Sequence, residues 1–74
     1  MNKMPSRELV ENIRQRYPKG SRVELIEMND PYTNLRPGDT GTVACVDDIG
    51  TIHIQWDNGS FLGAAYGEDR IKKI

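Results

Sequence analysis

Arg36-Pro37-Gly38-Asp39-Thr40-Gly41-Thr42-Val43 decides the fold of this chain. Pro37 sets φ for the second position of a turn, and Gly38 supplies the positive φ that the third position of a type II turn demands. Gly41 marks a bulge or a close backbone approach where a strand begins, and a positive φ is expected there. Thr42–Val46 is that strand. The chain then reverses at Asp47-Asp48-Ile49-Gly50 and returns as Thr51–Asp57. The return alternates, with Ile52, Ile54 and Trp56 on one face and Thr51, His53, Gln55 and Asp57 on the other, the period of a half-buried strand. Asp57-Asn58-Gly59 is a strong hairpin turn, so Ser60-Phe61-Leu62 pairs back onto the Trp56 strand.

Outward from this hairpin, Arg22–Met28 opens the sheet with Val23 and Leu25 on one face. Asn29–Asn34 has the composition of an ordered loop, in which Asp30 caps backbone amides, Pro31 stiffens the chain and Tyr32 is large enough to meet a partner. Gly63–Gly67 is small-residue backbone that another segment can approach closely. Glu68-Asp69-Arg70 predicts a single 3₁₀ turn, and Ile71–Ile74 a short closing strand. Phe61 is assigned to the core and Tyr66 to a lid over it.

Before the sheet, Ser6 is placed to cap a helix whose Leu9, Val10, Ile13 and Tyr17 form one apolar stripe. Pro18 ends it, because the residue before a proline is pushed out of the α region, and Gly20 frees the chain to turn. A helix this short is marginal alone, so its stripe must dock on the sheet or on a partner. The expected fold is mainly β, a five-stranded SH3-like small barrel preceded by an N-terminal amphipathic α-helix. Residues 1–19 form the helical arm and 20–74 the barrel.

Seventy-four residues, 36 % hydrophobic and 28 % charged, make one small globular domain of marginal stability. No apolar run approaches the roughly 18 residues of a spanning helix. The N-terminus has no apolar signal core, and the single Cys45 cannot close an internal disulfide, so the expected compartment is the reducing cytoplasm. The net charge of −1 conceals a polarity. Residues 1–22 carry Lys3, Arg7, Arg14, Arg16, Lys19 and Arg22 against Glu8 and Glu11, residues 23–69 carry Arg36 against nine acids, and Arg70, Lys72 and Lys73 close the chain. Either the basic ends rest on an acidic sheet or they meet an anionic partner.

Pro37-Gly38-Asp39-Thr40-Gly41-Thr42-Val43 with Ile54-Gln55-Trp56-Asp57-Asn58-Gly59 resembles the SH3-like barrels that include the KOW domains of ribosomal and transcription proteins. Tyr17-Pro18-Lys19-Gly20, Met28-Asn29-Asp30-Pro31-Tyr32, Val46-Asp47-Asp48 and Trp56-Asp57-Asn58-Gly59-Ser60 in this order are similar to the bacterial and phage family called domain of unknown function 4314, over roughly residues 8–72. That resemblance implies a single-domain protein, often encoded on phages and conjugative elements, with no assigned activity. The segment Ala64-Ala65-Tyr66 is less apolar than the resemblance implies.

Asp30, Asp47, Asp48 and Asp57 are oxygen donors of the kind that hold a hard cation, yet each sits where a turn wants Asp and none lies in a ligand-spaced loop. His53 and Cys45 are the one histidine and the one thiol, and a nucleophile–base pair needs them adjacent and held by a third group. Cys45 is read as a small hydrophobe. No metal, cofactor or enzymatic activity is expected. The functional expectation is a binding or adaptor module whose Met28–Tyr32 loop and turns, with Asp30, Tyr32, Asp47, Asp48, Trp56, Asp57 and Asn58, share one end or side of the barrel. Its partner is a protein or a second copy meeting Leu9, Val10, Ile13 and Tyr17. The alternative is a nucleic-acid accessory protein binding phosphates through Arg14, Lys19, Arg22 and Lys72, which makes affinity fall steeply with salt. A small molecule in an interloop cleft is the third reading.

Overall fold

The computed structural model describes residues 6–29 and 33–74. Met1–Pro5 and the loop residues Asp30, Pro31 and Tyr32 lie outside the described residues. One helix, α1 (Arg7–Arg16), precedes five strands: β1 (Arg22–Glu27), β2 (Thr40–Val46), β3 (Ile52–Trp56), β4 (Phe61–Ala64) and β5 (Arg70–Lys73). The strands form one antiparallel sheet in the order β4-β3-β2-β1-β5. The expected mainly β fold with five strands and a leading helix is present. The sheet does not close, however: β4 and β5 are its two ends and do not pair with each other.

The punctuation of α1 is local. Ser6 Oγ accepts from Leu9 N at 3.1 Å, and Tyr17, next to Pro18, ends the helix with its N–H bonded to Ile13 O. Arg14 and Arg16 fall in the last turn, where the helix dipole favours cations. The apolar stripe docks in cis: Ile13 and Tyr17 join Val23, Leu25, Val43, Ile52, Ile54 and Trp56 in one core, and Leu9 packs against it. That burial takes away the face expected to mediate self-association. Removing apolar side chains from water favours the docked helix by about 25 cal/mol per Å², which an isolated ten-residue helix lacks.

The deciding stretch forms as expected at its turn. Gly38 has φ +99° and Asp39 N bonds Arg36 O at 3.0 Å, the i→i+3 contact of a type II turn. The turn is locked to β1, since Gly38 N reaches Leu25 O at 2.8 Å and Leu25 N reaches Asp39 O at 2.7 Å. Gly41 is a correction: it is not among the glycines with positive φ. Its constraint is steric, for a Cβ there would lie 2.7 Å from Ile54 Cγ2 and 2.9 Å from Gln55 O.

The bulge sits instead at Ala44, where the register passes from Val43↔Ile54 to Cys45↔His53. An extra residue resets the alternation. Val43 and Val46 therefore both point into the core, and Cys45 is exposed rather than buried as a small hydrophobe. Phe61 is a second correction. It is 59 % exposed, because pairing with Gln55 puts it on the outer face while Leu62 turns inward. The connection to β5 is a turn in which Ala65 O accepts from Glu68 N and Asp69 N, with Gly67 at φ +88°, rather than a 3₁₀ turn at Glu68–Arg70.

Candidate functional site

The acidic turns are built first by their own backbones. In the β2–β3 turn, Asp47 Oδ1 accepts from Ile49 N at 3.1 Å and Thr51 N at 2.9 Å, and Asp47 Oδ2 lies 2.9 Å from His53 Nε2. Partial burial pushes the Asp47 carboxyl up, but the His53 contact and the two amides outweigh it and hold the group below its ordinary value. Asp48 reaches across to the helix, where Arg14 Nη2 donates to Asp48 Oδ1 at 2.8 Å while Arg14 Nε donates to Val46 O at 3.2 Å. Arg14 also meets Glu11 at 3.4 Å, and these partners raise its pKa further, Asp48 first.

The β3–β4 turn repeats this logic. Asn58 Oδ1 accepts from Ser60 N at 2.8 Å, and Gly59 takes φ +96°. Arg22 donates through both terminal nitrogens to Asp57, at 2.8 and 2.6 Å, and Thr40 Oγ1 donates to the same carboxylate at 2.6 Å. This bidentate fork, joined by the Thr40 hydroxyl, holds Asp57 far below the usual carboxylate range. Arg22 gains a further acceptor in Thr42 Oγ1 at 2.9 Å.

The two turns do not share one end or side. They close the opposite ends of β3, since consecutive hairpin turns of a meander alternate ends, so Asp47 and Asp48 sit apart from Asp57 and Asn58. Trp56 is likewise no surface aromatic: it is 1 % exposed, with Nε1 donating to Leu62 O at 3.0 Å. Strand alternation on the same face as Ile52 and Ile54 put it there. Asp30 and Tyr32 lie outside the described residues. Of the cations proposed for phosphate contact, Arg14 and Arg22 are engaged by Asp48 and Asp57, Lys72 stands 3.8 Å from Glu24, and Lys19 is exposed. Among the described residues no three side chains of metal-ligand type gather.

Cys45 and His53 are opposite one another in register, and His53 is held by Asp47. Register alone does not make a nucleophile–base pair: no hydrogen bond joins the Cys45 thiol to the imidazole, whose Nε2 is taken by Asp47, and the exposed Phe61 ring stands 6.4 Å from it on the open outer face. The clefts at the β4–β5 seam are lined by neither Cys45 nor His53.

A concavity lies where the sheet fails to close. A cleft of about 330 Å³ opens between Ile52 and Ala64 on one side and Arg70 and Ile71 on the other, with Tyr17 at its back and the half-exposed Tyr66 at its mouth. A second of about 350 Å³ continues along Ile71, Lys72 and Lys73 and shares Arg16, Tyr17 and Ile71 with the first. Together they form one groove under the C-terminal end of α1. Arg16 Cζ stands 5.6 Å from the Tyr17 ring centroid, close enough for a cation–π contact. Among the described residues no carboxylate is within ion-pair distance of Arg16 or Lys73, and Arg70 and Lys72 meet Glu27 and Glu24 only at 4.0 and 3.8 Å. Asp69 lines the groove with its carboxylate occupied, accepting from Asn29 N at 3.0 Å and Ala65 N at 2.9 Å.

This groove was missed in the sequence because it needs residues from α1, β3, β4 and β5 at once. The signal was the paired basic ends, whose meeting place the topology supplies. No helix among the described residues is long and apolar enough to cross a membrane. Comparison with curated proteins finds no match. Residues 6–74 match the family described as Domain of unknown function (DUF4314), and the chain belongs to that family.

Proposed function

We propose that the protein is a non-enzymatic binding module that holds an anionic partner in the groove between β4 and β5. One observation carries this reading: around an apolar floor, Arg16 and Lys73 have no carboxylate partner among the described residues and Arg70 and Lys72 meet Glu27 and Glu24 only at 4.0 and 3.8 Å, whereas the arginines beside the acidic turns are engaged at 2.6–2.8 Å. Cations held near low-dielectric walls focus an attractive field on an incoming anion. The acidic turns are then structural, and recognition passes to the seam.

A protein partner is the first reading, because both walls of the groove are strand edges. Nucleic acid is the second, favoured by the four cations and by the Tyr66 ring at the mouth, on which a base can stack. The setting in this reading is the bacterial cytoplasm, with a gene carried on a phage or another mobile element; the family resemblance and the lone thiol of Cys45 support it.

Titrating ¹⁵N-labelled protein with oligoglutamate and with single-stranded oligothymidylate, at low and then physiological salt, tests the proposal. Salt-sensitive amide shifts at Arg16, Tyr17 and Arg70–Lys73 are expected. Shifts confined to Asp47–Gly50 and Asp57–Gly59, or none with either polyanion, contradict it.

A further inference from the structure

The walls of the groove have a second property besides charge. On β5, Ile74 N donates to Arg22 O at 3.0 Å, and Lys72 is paired with Glu24. Alternate residues of an antiparallel strand turn their N–H and C=O groups to opposite sides. Ile71 and Lys73 therefore present their backbone groups to the seam, away from β1. On β4 the same alternation, counted from Trp56 N bonded to Ser60 O at 2.8 Å, turns the backbone groups of Phe61 and Gly63 outward. An open edge of this kind is a template for another strand unless it is covered.

Side chains along β5 alternate in character. Ile71 and Lys73 lie on the core side, as their partners Leu25 and Val23 do, while Arg70 and Lys72 lie on the outer side with Glu27 and Glu24. Arg16 and Tyr17 of the helix overhang the core side.

On the reading that this groove is the binding site, we propose that its occupant is an extended acidic peptide segment, added as a strand to the free edge of β5. The added strand takes its main-chain hydrogen bonds from Ile71 and Lys73. Its residues alternate between the apolar floor of Tyr17, Ile52 and Ile71 and the outer cations Arg70 and Lys72, while Arg16 and Lys73 add to the positive field along the rim. Strand addition gives affinity through the backbone and specificity through alternate side chains. A nucleic-acid strand uses the cations but leaves the open backbone edge unpaired, and one exposed ring, Tyr66, is a poor stacking platform for a run of bases.

The test uses a blocked heptapeptide alternating glutamate and valine, a lysine–valine heptapeptide of the same pattern, and an eight-nucleotide oligothymidylate, each added to ¹⁵N-labelled full-length protein. Saturation with the acidic peptide is expected to slow hydrogen exchange at the Ile71 and Lys73 amides at least tenfold, leaving Lys72 and Ile74 unchanged because their amides already face β1. Lys73→Ala, which removes the charge, should weaken binding several-fold. Lys73→Pro, which also removes the edge N–H while leaving the β1 ladder intact, should weaken it more. If Lys73→Pro fails to fold by circular dichroism, the exchange readout and Lys73→Ala decide alone. Seam shifts without exchange protection overturn strand addition and leave the groove reading standing. Tighter binding of oligothymidylate on the same map overturns the peptide in favour of nucleic acid. No seam shifts with any probe overturn both.

Discussion

At the Asp47 and Asp57 turns every charge has found a partner inside the molecule, whereas the cations along the β4–β5 seam have no carboxylate closer than 3.8 Å among the described residues. Both regions are rich in polar residues, and in a linear sequence the turns are the more conspicuous. The difference teaches that charge density does not mark a site. A carboxylate that accepts two backbone amides, or a fork of arginine nitrogens, has its lone pairs committed to holding a turn. Displacing those partners costs a ligand what the turn gains. The seam has an apolar floor, strand edges and cations that are held loosely, Arg70 and Lys72 by Glu27 and Glu24 at 4.0 and 3.8 Å, or, for Arg16 and Lys73, by no carboxylate among the described residues.

The sharpest break of this comparison is Trp56→Ala, next to the Asp57 turn. If the turns belong to the scaffold, emptying the fully buried Trp56 site costs about 3–5 kcal/mol. That is a large share of what a small domain has, and urea denaturation followed by tryptophan-independent circular dichroism should report a largely unfolded chain. A variant that stays folded and merely binds less would return Trp56 to the surface.

Next in size is Asp47→Ala, which strands the Ile49 and Thr51 amides and frees His53. The turn is partly solvated, so about 1 kcal/mol is expected, visible as a lower Tm with seam binding of oligoglutamate intact. Asp57→Asn should act chiefly through pH. The folded carboxyl titrates below its unfolded value, so its stabilisation is complete above the ordinary carboxylate pKa of about 4 and is lost as pH falls below that. Melting curves from pH 6 to pH 2 should show a shallower acid limb in Asp57→Asn than in wild type. An unchanged limb would mean that the Arg22 fork contributes nothing in solution.

The smallest stability effect belongs to the seam. Arg16→Ala with Lys73→Ala removes two cations that hold no carboxylate among the described residues, so stability should stay within about 0.5 kcal/mol of wild type and the acid limb should not move. A large loss of stability in this variant would make the seam cations structural and erase the contrast between the regions.

Local chemistry made much of the fold legible. Ser6 and Pro18 bracket the helix, Pro37-Gly38 and Asn58-Gly59 specify their turns, and the Ile52–Trp56 alternation fixes the core face of β3. Cys45 and Phe61 were misassigned because a bulge at Ala44 and a hairpin register shift the phase of alternation, and neither is visible in residue types alone. Residue types alone make Asp47, Asp48, Asp57 and Asn58 turn formers and let them read as one site. Chain order within a meander, a topological fact, separates them. The seam groove draws on residues from 16 to 73 and exists only because the sheet stays open between β4 and β5. Asp69, whose carboxylate ties Asn29 to Ala65, was invisible for the same reason.

The most direct test of the central claim is fluorescence anisotropy of labelled oligoglutamate against three proteins: wild type, Arg16→Ala with Lys73→Ala, and Arg14→Ala. Predicted is binding at least tenfold weaker in the double variant, about 1.4 kcal/mol, and unchanged in Arg14→Ala, whose guanidinium is engaged by Asp48. Binding that survives the double variant and falls in Arg14→Ala would move the site to the acidic turn and contradict the account.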